Sequence, residues 1–292
     1  MTAYGLLVWV AAGLLSHNLW PQLVCYALSV YMMVEMNNSF TLLRVRSRMV
    51  SAVFIALSCA MGFLFASPAG AVVQLFFIAS LLLLLGTYQS PQSLGGIFYS
   101  FLFLSLASLL SVHTLLFAPL LWLLMSLHLQ SLSWRGWLAS LIGMLTPYWF
   151  VSVWFIYGRD FTPLARHFCS LADFVPPARA YATLDTRHIL ALALLAVLTL
   201  TGAVHFWRQS IDEKIRTRLL YALFTWLSAF CIVSVVLQPQ HYDPLMRLAV
   251  VCASPLVAHF LTLTSSRASD IAFFCIAALT LAVTVANLLP PL

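Results

Sequence analysis

Four Arg, three Asp and two His fall within residues 157–188 of a chain in which 8% of the 292 residues are charged. Arg159, Arg166, Arg179 and Arg187 are of the type that grips a phosphate with two parallel hydrogen bonds. Asp160, Asp173 and Asp185 in the same stretch, with Asp243 further on, are the candidates for a base that activates a hydroxyl. The segment is therefore either a lid over a cavity that takes an anionic lipid phosphate, or a connector whose charges are simply solvated. The residues alone leave both open.

Other chemistries find less in the sequence. His17, His113, His167 and His241 approach one side of the chain's topology, yet no two have a ligand spacing such as HxxxH. The six Cys form no CxxC pair, and five lie inside apolar runs, as small buried hydrophobes do. No metal site and no cofactor is expected. Walker, GxSxG, HExxH and Gly-rich dinucleotide motifs do not occur. His128, His205 and His259 read as polar groups at the opposite interface. Glu35 reads as an ion-pair partner for Arg44 or Arg46.

The elements that must position these residues are membrane helices. A soluble domain is about half apolar and about a quarter charged, whereas this chain is 63% hydrophobic. That leaves too little polar surface to coat a globule, so its solvent is lipid. Apolar runs at about 3–16, 20–36, 49–66, 70–88, 95–111, 113–129, 135–157, 188–207, 218–238, 245–264 and 269–289 predict an all-α, polytopic bundle of ten or eleven spans. The first run lacks a basic n-region and an A-x-A site, and is read as a span rather than a cleaved leader. Residues 1–157 form a seven-span half, 158–187 an outer loop, and 188–292 a four-span half.

Lys and Arg set the orientation. With Arg44, Arg46 and Arg48 in the cytoplasm, Arg135, Arg208, Lys214, Arg216, Arg218 and Arg267 fall on the same side. Arg159, Arg166, Arg179, Arg187 and Arg247 fall outside. The excess of positive charge, +6 at neutral pH, is thus a topological signal, and nucleic acid is not expected as a partner. The amino terminus is placed in the cytoplasm, and residues 158–187 on the outer face.

On a helical wheel, Phe161, Leu164, Phe168, Leu171 and Val175 share one face of residues 161–175, opposite Arg166, Cys169, Ser170 and Asp173. This predicts an interfacial amphipathic helix ended by Pro176-Pro177. Ser210 to Glu213 reads as a capping box, and Asp243-Pro244 as an N-cap followed by proline.

Two stretches, "NNSFTLLRVRSRMVSAVFIAL" at 37–57 and residues 98–160, resemble a family of uncharacterised integral membrane proteins common in Bacteroidota. The likeness rests on the Arg-x-Arg-Ser-Arg turn, the Leu-Ala-Ser-Leu-Leu helix, Trp134-Arg135-Gly136-Trp137 and Pro147-Tyr148. It implies a bacterial inner membrane. Residues 98–160 also resemble the middle spans of the GT-C glycosyltransferases, which use lipid-phosphate sugars on the outer face. Those enzymes carry an acidic pair in their first outer loop; here that loop is Ser16-His17-Asn18-Leu19 and has no carboxylate.

Two function classes follow. One is an envelope-biogenesis protein handling a polyprenyl-phosphate-linked sugar at the outer face. The other is a non-catalytic subunit whose bundle packs against a partner membrane protein. A transporter ranks below both, because the spans hold almost no ionisable residues for coupling.

Overall fold

The computed structural model describes residues 1–45, 47–158, 161–173, 175–176, 180–181, 184–263 and 267–288, without the side chains of 212, 263 and 267–269. Twelve α-helices occur among them: α1 Thr2–Ala11, α2 Trp20–Phe40, α3 Met49–Ala60, α4 Pro68–Leu85, α5 Leu94–Leu110, α6 Phe117–Leu124, α7 Trp134–Gly158, α8 Thr162–Cys169, α9 Thr186–Gln209, α10 Ile215–Leu237, α11 Tyr242–Leu263 and α12 Arg267–Leu288. Among the described residues, seven helical stretches are long and apolar enough to cross a membrane: Pro68–Leu85, Val112–Leu129, Trp134–Gly158, Thr186–Gln209, Ile215–Leu237, Pro239–Thr262 and Asp270–Leu288. The chain is an all-α, multi-pass membrane protein.

Several of the expected spans are shorter as α-helices than as apolar runs. α1, α3 and α5 are apolar but have 10–17 residues. The run at 49–66 leaves α geometry at Met61 and finishes as a 3₁₀ turn, Gly62–Ala66. The first run ends at Ala11, and Gly13 follows at φ +92°, a left-handed backbone that glycine adopts without cost.

α11 is the most buried of the seven spans and packs against α3, α4, α9 and α10. Gly202 of α9 allows a close backbone approach to α11: a Cβ there would sit 2.8 Å from the Leu256 carbonyl. Because lipid offers helices no hydrophobic drive to associate, small polar side chains join them. Ser105 Oγ donates to the Met144 carbonyl at 2.7 Å, Trp122 Nε1 to Ser140 Oγ at 2.8 Å, and Asn287 Nδ2 to the Ala60 carbonyl at 2.6 Å.

Four local expectations are corrected. The amphipathic helix stops at Cys169 instead of reaching 175, because Ser170 Oγ turns back to the His167 carbonyl (2.7 Å) and the next amides bond three residues back. Ser210 to Glu213 is no capping box: Ser210–Asp212 is a 3₁₀ turn, α10 begins at Ile215, and Glu213 pairs with Arg44 at 3.0 Å. Glu35 does not take Arg44, but accepts from Ser39 Oγ at 2.6 Å; Arg46 lies outside the described residues. Asp243 stands inside the first turn of α11 rather than capping it.

Candidate functional site

Four chain segments meet at the end of the bundle that carries α8. The 3₁₀ turn Val112–Leu116 ends α5, the turn Pro239–His241 leads into α11, α4 starts at Pro68, and α8 crosses above. Between them lies a partly open cavity of about 250 Å³, lined among others by Ser67, Gly70, His113, His167, His241 and Asp243.

The histidines form its polar wall. His113 and His241 stack face to face, ring centroids 3.5 Å apart and planes 28° from parallel. His113 is 3% exposed, and its Nε2 has no hydrogen-bond partner among the described residues. His167 comes from α8, with its Nε2 3.5 Å from the Tyr148 hydroxyl, which in turn lies 2.7 Å from Ser108 Oγ. The ring of Phe168 packs on Tyr148 at 5.1 Å. Gln240 Nε2 donates to the Asp173 carbonyl at 2.6 Å. α8 and the turn after it are thus held to α7 on one side and to the approach to α11 on the other.

Asp243 is fixed from behind. Arg247, one turn along α11 and 6% exposed, donates through Nε to Asp243 Oδ1 at 3.0 Å. Its other nitrogens donate to the Leu64 and Ser67 carbonyls and, at 3.5 Å, to Gln74 Oε1. A buried guanidinium is tolerable only when its donors are used and its charge is matched, and this arrangement does both. The carboxylate also lies against the first turn of α4, whose amide ends favour negative charge. Ser67 Oγ caps that turn, accepting from Gly70 N at 3.1 Å. A Cβ on Gly70 would collide with Asp243 Oδ2 and come within 2.6 Å of Arg247 Nε.

Of the residues singled out in the sequence, Asp243 lines the cavity. Arg187 pairs with Asp185 at 3.7 Å, and Asp173 and Arg166 are exposed. None of these four is among the cavity's lining residues. Arg159, Asp160 and Arg179 lie outside the described residues. Sequence spacing missed the histidines, because His113, His167 and His241 come from three separate elements and no local pattern links them. It also counted Arg247 only as an outside charge; the signal available was its i,i+4 spacing from Asp243.

No group of three or more His, Cys, Asp or Glu side chains among the described residues could hold a metal ion. A second ionic cluster lies at the other end of α11, where Glu213 Oε1 is 3.0 Å from Arg44 Nε and 3.7 Å from His259 Nε2.

No family model matches the chain, and neither a curated protein nor a solved structure matches it.

Proposed function

We propose that this membrane protein serves envelope biogenesis in the bacterial inner membrane, taking the polar head of a lipid-phosphate-linked sugar into the cavity beneath α8 from the outer leaflet. The observation that carries the reading is His113: a buried imidazole lining a cavity, with a ring nitrogen that has no partner among the described residues. An unpaired buried polar atom is costly unless a ligand or a water completes it, and a cavity of about 250 Å³ has room for more than water. Sugar hydroxyls suit the site, since imidazoles and a carboxylate can both accept from them.

In this reading Arg159, Arg166, Arg179 and Arg187 are the phosphate-binding residues, and the cavity takes the sugar. Asp243, its charge matched by Arg247, is a fixed acceptor, and the proton-carrying role falls to His113 or His241. In transfer, the acceptor hydroxyl oxygen would bond to the sugar's anomeric carbon and the bond to the lipid phosphate would break. The hydroxyl proton would pass to an imidazole, and the phosphate would leave on its lipid. The resemblance of residues 98–160 to GT-C middle spans points the same way.

The non-catalytic alternative draws on α7, where Trp149, Phe150 and Trp154 are 71%, 71% and 76% exposed along a lateral face that a partner could cover. One experiment separates the two. Arg159, Arg166, Arg179 and Arg187 are replaced together by Gln, and cell-envelope glycan is measured alongside protein abundance. The proposal expects glycan to fall at normal abundance; unchanged glycan would remove the reason for a phosphate-binding segment.

A further inference from the structure

Directly behind the Asp243–Arg247 pair, inside the bundle, is a second and much smaller cavity of about 20 Å³. Trp9, Gln22, Tyr26, Gln74 and Arg247 are among its walls. It differs in kind from the lipid-facing grooves beside α12, whose linings are almost wholly apolar. Three of its walls carry buried polar atoms with no hydrogen-bond partner among the described residues: Trp9 Nε1, on a residue 2% exposed, Gln22 Oε1, on a residue 8% exposed, and the Tyr26 hydroxyl, which can either donate or accept.

Three constraints define the occupant. Its size is set by the cavity, since about 10–15 Å³ by this measure admits one water and a lipid or sugar fragment is far too large. Its hydrogen bonding is set by the orphans: an indole Nε1 can only donate and an amide oxygen only accept, so the occupant must both accept and donate. Its charge is set by Arg247, already matched by Asp243 at 3.0 Å, which leaves no call for a further ion. We propose that the chamber is a one-water site inside the bundle. The water accepts from Trp9 Nε1 and donates to Gln22 Oε1. It links α1 and α2 to the helix that carries Asp243 and Arg247, and it gives Arg247 a polar neighbour on the side away from the outer cavity. The site does not depend on what the outer cavity binds.

Trp9 is well placed to hold one end, because its ring stacks on Phe65 at 4.0 Å and 8° from parallel, which fixes the direction of the N–H. The test uses the full chain in nanodiscs. A cryo-EM map that resolves ordered waters should show a peak within hydrogen-bond distance, about 3 Å, of both Trp9 Nε1 and Gln22 Oε1. An empty chamber, or a direct Trp9–Gln22 hydrogen bond, would overturn the proposal. A thermal-unfolding cycle of W9F, Q22L and the double variant gives an independent reading. One shared water is lost in either single variant, so each should lower Tm and the double variant should fall little below the worse single. Additive losses, or no loss in either single variant, would overturn it.

Discussion

The carboxylate of Asp243 fills the space that a side chain on Gly70 would need, so the start of α4 and the start of α11 are interlocked at one point. Changing Gly70 to Ala forces Asp243 and Arg247 to shift together. Overpacking of this kind costs about 1–3 kcal/mol, so G70A should unfold at a lower temperature than the parent in nanodiscs. A G202A variant would also lower Tm, because its Cβ meets the Leu256 backbone. Only G70A should disturb the outer cavity as well.

Arg247 supplies a fork of donors to Asp243, Gln74 and two carbonyls. R247K keeps the charge but offers a single nitrogen, leaving buried acceptors unpaired at about 1–3 kcal/mol. Thermal unfolding of R247K should show that loss. D243N should cost more than a surface charge change, about 3–5 kcal/mol, since it leaves a 6% exposed guanidinium without its counter-charge. A D243N variant as stable as the parent would mean that the pair is not what holds this end of α11.

The architecture was legible because lipid imposes one simple demand, long apolar helices, and the segments around Leu81, Leu198 and Leu227 meet it plainly. Where backbone geometry departs from α, as at Met61 and Gly13, apolar composition carried no warning, and run lengths overstated helix lengths. The amphipathic phase of Leu164 and Phe168 correctly placed α8, while the local bond of Ser170 that ends it is a side-chain choice invisible to a wheel. Asp243 is one of the four acids that the sequence singles out. Its value to the site depends on Gly70, His113 and Arg247, of which Gly70 and His113 lie far from it along the chain and are brought to it only by the packing of α4, α5 and α11.

α8 is held partly by Phe168, which packs on Tyr148 yet remains 43% exposed. F168D should loosen it by less than the roughly 1.5–3 kcal/mol of a fully buried Phe. Hydrogen exchange across Thr162–Cys169 should quicken in F168D while α4 and α11 keep the parent's protection. Exchange unchanged in α8 would show that Gln240 and Asp173 hold the segment without it.

The orientation is tested by labelling. A cysteine at Ser47 should react with a membrane-impermeant thiol reagent only after the inner face is opened, whereas the exposed native Cys169 should react from outside. Labelling of both from one face would refute the proposed topology.

The central claim is that the cavity walled by His113, His241 and Asp243 takes the head of a lipid-phosphate-linked sugar. The most direct measurement is the affinity of a polyprenyl-phosphate sugar for the full chain in nanodiscs, compared between the parent and H113A, with Tm recorded for both. Losing one charge-assisted or buried hydrogen bond is worth about 1.5–3 kcal/mol, or roughly ten- to a hundredfold in Kd. The account predicts binding by the parent and a loss of that size in a folded H113A. Equal affinity in the two proteins, or no binding by the parent, would contradict it.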